Sequence, residues 1–213
     1  MEIWILVIAV GIVALVVAAY SHLQDQKRTE QIRDLASMSG MNFTERDDSL
    51  LTETFAGIEL MRKGSGRKAK NILRTRADGK DVVLFRYEYH VDKSTFKQTA
   101  AGVRDPERAL PRFQLTPESV FLKIGASFGM QDIDFDSSPT FSESYRLTGD
   151  DEAAVRRLFR SDVLSFFATE TSWSIEGSGE WVVVYRRRDL VNPDQLAEFA
   201  EKAIWISDLF RET

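Results

Sequence analysis

The chain has no cysteine, only two histidines and only five prolines in 213 residues. Without thiols there is no disulfide framework and no zinc site of the common thiolate kinds. A reducing compartment suits such a composition. The histidines are His22 and His90, and His22 borders a long apolar run near the start of the chain, so an imidazole in a folded site has to be His90. No GxxxxGK[ST] loop is present, so the usual sequence mark of a P-loop nucleotide enzyme is missing. Cations are outnumbered as well, 28 Lys and Arg against 33 Asp and Glu, for a net charge of −5. An acidic chain is a poor general binder of nucleic acid, because phosphate neutralisation needs a basic surface. There is no internal repeat and no long low-complexity stretch.

What the chain does have is an uncharged apolar run from Ile3 to Tyr20, IWILVIAVGIVALVVAAY. At ~1.5 Å per residue this run makes roughly 27 Å of helix, close to the ~30 Å hydrocarbon core of a bilayer. Trp4 and Tyr20 stand near its ends, where amphipathic rings favour the headgroup level. Only Met1 and Glu2 precede it, so the basic n-region of a cleaved signal peptide is missing. We expect a permanent single-span membrane anchor. Lys27, Arg28 and Arg33 follow the run and no Lys or Arg precedes it. The positive-inside rule therefore puts the C-terminal domain on the cytoplasmic side of the cell membrane. The expected organisation is an anchor over 1–22, a juxtamembrane helix or linker over 23–40, and one soluble domain over 41–213.

Gln24 to Ser39 reads as a polar spacer helix with a thin apolar side (Ile32, Leu35, Ala36, Met38), stopped at Gly40. Residues 41–104 read as β structure. Arg67–Arg76 and Asp81–Val91 flank the hairpin turn Asp78-Gly79. In the second strand Val83, Phe85, Tyr87, Tyr89 and Val91 alternate against Arg86, Glu88 and His90, which predicts a half-buried strand. Thr95–Arg104 adds the next strand. Pro106, Pro111 and Pro117 punctuate the next stretch, with an extended piece at Phe113 and Leu115. Thr116-Pro117-Glu118 then opens a helix carrying Val120, Phe121, Ile124 and Phe128, ending at Gly129. Thr148 to Asp151 resembles a capping box, before helical stripes at Val155, Leu158 and Phe159 and at Val163, Leu164, Phe166 and Phe167. A hairpin turns at Gly177-Ser178-Gly179. Asn192-Pro193 starts a last helix with the stripe Leu196, Phe199, Ala200, Ala203, Ile206 and Phe210. Strands and helices are segregated, so the expected class is α+β: an antiparallel sheet with packed helices and a C-terminal amphipathic helix.

Two local motifs invite chemistry. Asp132, Asp134 and Asp136 alternate, and Glu143 falls at position twelve of a calcium loop counted from Asp132. Ser137 stands where such a loop needs glycine, and Pro139 follows. The competing reading is a strand with Ile133 and Phe135 inward and its carboxylates in water. The second motif is basic: Arg62, Lys63, Arg67, Lys68 and Lys70 surround Gly64 and Gly66. Such a segment can cradle phosphate or lean on anionic lipid headgroups, or be a solvated turn. His90 reads as a cross-strand polar contact, and Trp173 and Trp181 as packing rather than ligand-stacking residues. Asp150-Asp151 is explained by helix capping, and Asp47-Asp48 signals nothing by itself.

Several segments together resemble an uncharacterised bacterial family. They are Gly40-Met41-Asn42-Phe43 with the acidic stretch after it, Gly66 to Leu73 leading into Asp78-Gly79, and Phe85-Arg86-Tyr87. Gln131 to Phe135 with Pro139 and Phe141, and Tyr145-Arg146-Leu147 through Val155-Arg156, complete the set. Members of that family look like single-pass membrane proteins with one soluble domain of unknown function. The resemblance implies kinship and architecture, and brings no catalytic residues and no cofactor with it. The functional expectation is a membrane-tethered, non-enzymatic interaction domain that binds a protein or the membrane surface. The alternatives are an anionic-lipid-headgroup module, built as a small barrel closed by the last helix, and a hydrolase using Asp132, Asp134 and Glu143 with a divalent cation.

Overall fold

The computed structural model describes residues 2–121 and 132–211, without the side chains of residues 2–14, 18, 120 and 121. One helix, α1 (Glu2–Ser39), leads into strand β1 (Asn42–Arg46). A π-type turn (Leu50–Thr54) and a 3-10 turn (Glu59–Arg62) follow. Three long strands come next, β2 (Ser65–Ala77), β3 (Lys80–Val91) and β4 (Ser94–Arg104), then β5 (Leu110–Pro117) and the short α2 (Glu118–Phe121). The remainder runs α3 (Pro139–Ser144), β6 (Tyr145–Gly149), α4 (Glu152–Leu158), α5 (Ser161–Thr169), β7 (Ser174–Gly179), β8 (Trp181–Tyr185) and α6 (Leu196–Asp208). The expected helix positions Ile124, Phe128 and Gly129 lie outside the described residues.

The strands form one eight-stranded sheet in the order β1-β2-β3-β4-β8-β7-β5-β6, and each pair is antiparallel. The mixed α and β class expected from segregation is present. The sheet is open, with β1 and β6 at its edges, and not the small barrel expected for a headgroup module. β2 and β3 meet at Asp78-Gly79 in the anticipated register, Ala77 opposite Lys80. Both turn residues have positive φ, the requirement of a tight hairpin turn.

The sheet separates two apolar layers. On one face α1 and α3 to α6 cover Leu84, Ala101, Val103, Leu115, Leu147, Ile175, Val182 and Val184. Five phenylalanines, Phe113, Phe141, Phe159, Phe167 and Phe210, join Tyr145 there in a set of tilted, edge-on and stacked ring contacts. On the other face residues 50–61 cover Ala69, Val83, Phe85, Tyr87, Ala100 and Tyr185. Gly102 is needed here, since any side chain on it would collide with the Phe55 ring. Glu176 fixes the same layer. It is 1% exposed, accepts the Leu60 N–H at 3.1 and 3.0 Å, and takes bonds from Gln114 (2.8 Å) and the Tyr185 hydroxyl (3.0 Å).

Several local expectations are corrected. β3 is not half-buried: Arg86 is 3% and Glu88 7% exposed, because α1 lies over their face. Helix 23–40 is not a free spacer, because its Ile32 and Ala36 are in the core. The capping box fails because Thr148 is committed to β6, paired with Gln114. Asp151 caps α4 instead, accepting the Ala154 N–H at 2.9 Å. Residues 132–138 are irregular rather than a strand, although Ile133 is buried and Phe135 half-buried as expected. Counting only the described residues, no helix is long and apolar enough to cross a membrane. Most side chains of the run Ile3–Tyr20 lie outside the described residues.

Candidate functional site

The structure does not gather the acidic motif. Asp132 turns inward and its Oδ1 accepts the Leu147 N–H at 3.0 Å, with Arg146 3.9 Å away. Burial raises the Asp132 carboxyl above its usual range, against the pull of those two partners. Asp134 and Asp136 are exposed, and Glu143 is exposed on α3. Among the described residues no group of three or more His, Asp or Glu is placed to hold a metal ion.

The basic motif is divided. Arg62 is exposed at the end of the 3-10 turn, and Lys63 follows it half-buried. Arg67 bends back to donate to the Met61 carbonyl at 3.2 Å. Lys68 and Lys70 sit opposite Glu88 and Arg86 on the face that α1 covers, and Lys70 is 3.7 Å from Glu88. Gly64 and Gly66, both at positive φ, press against the His90 carbonyl and ring, so the glycines serve close packing. His90 makes the cross-strand contact its position implies, Nδ1 lying 3.0 Å from Thr95 Oγ1.

What the fold builds from these residues is a mount for α1. From Leu15 to Gln24 every α1 side chain described is exposed, and contact with the domain begins at Asp25. The Asp25 carboxylate takes two parallel bonds from Arg86 (3.0 and 2.9 Å), and Lys97 stands 3.7 Å off. Burial alone raises the Asp25 carboxyl, but the Arg86 bonds and the charges of Arg86, Lys97 and Lys70 outweigh it and hold it low. Glu88 contacts Arg86 at the Nη2 that also meets Asp25. Arg28 donates to the Val191 carbonyl at 2.5 Å. Thr29 bonds Asn71 at 3.0 Å. Asn71 sits in a β2 register shift at positive φ, where Asn is tolerated better than most residues. One turn on, Arg33 pairs with Glu45 of β1 at 3.0 Å. Thus α1 crosses β1, β2 and β3 diagonally, and its N-terminal continuation leaves over the start of β4 and the loop after β8. A polar cleft of about 520 Å³ flanks it, lined by Asp25, Thr29, Arg46, Lys70 and Arg86 among others.

That loop lines a second groove of about 760 Å³, closed by α6. Arg186, Asp189, Asn192, Glu198, Lys202 and Trp205 face it. Trp173 is 5% exposed, packed against Phe199 with Arg186 4.8 Å over its ring, so it is packing as expected. Trp181 rests edge-on against Phe55. Trp205, by contrast, is 47% exposed, against Phe166 and under Lys202. The run Arg186-Arg187-Arg188 is the feature sequence reasoning passed over; three successive arginines after a strand in an acidic chain were the available signal. Arg187 and Arg188 lie over Phe96, 4.8 and 4.2 Å from its centroid. Arg188 holds a positive φ of 61° and donates its N–H to Gln98 at 3.2 Å.

No protein-family model matches the sequence, and no curated protein matches it. The fold is similar to the crystal structure of the mycobacterial trehalose monomycolate transport factor A, TtfA, with a TM-score of 0.63. The two chains are 14% identical over 86% of this chain and 94% of that one. At that identity the likeness is one of fold.

Proposed function

We propose that the chain is a membrane-tethered, non-enzymatic interaction domain, one span in the cell membrane with the domain on the cytoplasmic side. The observation that carries this reading is the unbroken course of α1. One helix contains the apolar run and, without a linker, the turns that Asp25, Thr29, Ile32 and Ala36 lock to the sheet. A helix so fixed holds the domain in one attitude to the surface from which it emerges. That arrangement suits a docking part better than a swinging enzyme. The kinship suggested by the sequence resemblance points the same way. So does the fold shared with TtfA, which is named as a transport factor; a supporting part beside a transport machine is the role we favour. The hydrolase alternative has less behind it, because Asp132 is spent on the Leu147 N–H while Asp134 and Glu143 face water. The test is extraction and sidedness. Full-length protein in cell membranes should resist carbonate and stay uncut when protease is added to intact spheroplasts. Release by carbonate defeats the tether, and digestion from outside reverses the orientation.

A further inference from the structure

Resting on the tether, we propose that a collar of cations around the exit of α1, formed by Arg28, Lys93, Lys97, Arg187 and Arg188, docks on the anionic headgroups of the bilayer that α1 enters. The distance to the bilayer is short. Asp25, where α1 meets the domain, is five residues past Tyr20, the end of the apolar run. Five residues of helix rise about 7.5 Å, which is less than the ~8 Å Debye length of physiological salt. Cations at this level feel the negative surface potential of a cytoplasmic leaflet, an effect of about fivefold on docking for each.

The cations are also placed on the side that faces the bilayer. α1 runs from Glu45 on β1 past Asn71 on β2 to Arg86 and Lys97 on β3 and β4. Its outward end therefore points over the start of β4. There the turn between β3 and β4 carries exposed Lys93, next to exposed Val91. The loop after β8 stacks Arg187 and Arg188 on Phe96, which neighbours Lys97 in β4 but points to the opposite face of the sheet, so the cations stand on both sides of the β4 edge. Arg28 ties α1 to the end of the same loop at Val191. Part of the nearby negative charge is already paired. Asp25 is engaged by Arg86 and Asp189 by Arg186 at 2.8 Å, and Asp92 sits in the turn. The left-handed backbone at Arg188 is a further sign. Residues other than glycine adopt it uncommonly. It is held by the bond to Gln98, with the guanidinium over Phe96. A basic patch on a chain of net charge −5, set at the level of the headgroups, matches an anionic bilayer in charge and in place.

The absence of native cysteine makes the experiment direct. Full-length Ser94→Cys protein, labelled with a fluorophore at the hairpin tip, is reconstituted in nanodiscs carrying a headgroup quencher. Discs of phosphatidylcholine alone are compared with discs containing phosphatidylglycerol. Quenching should rise several-fold with phosphatidylglycerol and fall back in high salt. Lys93→Gln, on an exposed turn where folding is not at stake, should lower the docked-to-undocked ratio about fivefold, the equivalent of one headgroup contact. Arg188→Gln should act in the same direction. Equal quenching in both lipids, or indifference to both substitutions, overturns the collar while leaving the tether standing. Failure to enter either disc overturns both.

Discussion

Arg86 is the residue on which the mount of α1 turns. It is 3% exposed, and its charge is balanced by Asp25 from the helix and Glu88 from its own strand. Removing one partner of a buried pair costs about 3–5 kcal/mol because a charge is left stranded. Asp25 is still partly in water and Glu88 remains, so Asp25→Ala should cost less, about 2 kcal/mol by denaturant unfolding. Asp25→Ala combined with Arg86→Met should recover much of that loss. Asp105 gives a pH signature. Burial raises its carboxyl, but the Glu107 N–H, the Arg211 bond and the Arg108 charge outweigh burial and hold it below the usual range. A carboxyl held low when folded adds stability above about pH 4 and surrenders it as pH falls through the folded value. Asp105→Asn should therefore be less stable than wild type at neutral pH, with the gap narrowing below pH ~4 in acid titrations of the melting temperature. Neither role was legible in the sequence. Arg86 alternates with apolar neighbours and so reads as facing solvent, and only the helix lying over it, 61 residues away in the chain, reverses that.

At the scale of elements, periodicity carried most of the information. The β2–β3 hairpin, the β7–β8 hairpin and the stripe of α6 stand where alternation and 3.6-residue spacing put them. What escaped was context. Residues 50–61, which hold no long apolar period, fold into two short turns that cover one face of β2, β3, β4 and β8 through Leu50, Phe55, Ile58 and Leu60. Thr148 has the spacing of a cap but belongs to a strand, because β6 runs directly up to the helix. The thin apolar side of residues 24–39 suggested a spacer, yet Ile32 and Ala36 are 2% and 1% exposed. That burial has a measurable consequence. Ile32→Ala should destabilise the domain by about 2–4 kcal/mol, the usual cost of a buried cavity at an aliphatic side chain. Met38→Ala, on the exposed side of the same helix, should change stability by less than about 0.5 kcal/mol. Equal effects at the two positions, read by urea unfolding, would show that α1 is not packed on the sheet.

For the whole molecule, α1 is locked to the sheet domain through Asp25, Thr29, Ile32 and Ala36. The site expectations read from sequence fared unevenly at this scale. The basic segment Arg62 to Lys70 is split between a turn and the covered face of β2, whereas the proposed collar draws on three separate stretches that only the fold brings to one edge of β4. Tether, mount and collar all require that α1 stay fixed to the sheet, and spin-label distances read this directly. With Leu23→Cys and Ser94→Cys labelled in full-length protein reconstituted in lipid bilayers, a fixed helix gives a single narrow distance distribution between α1 and the tip of the β3–β4 turn. A broad distribution, spread by a helix that parts from the sheet, would refute rigid attachment.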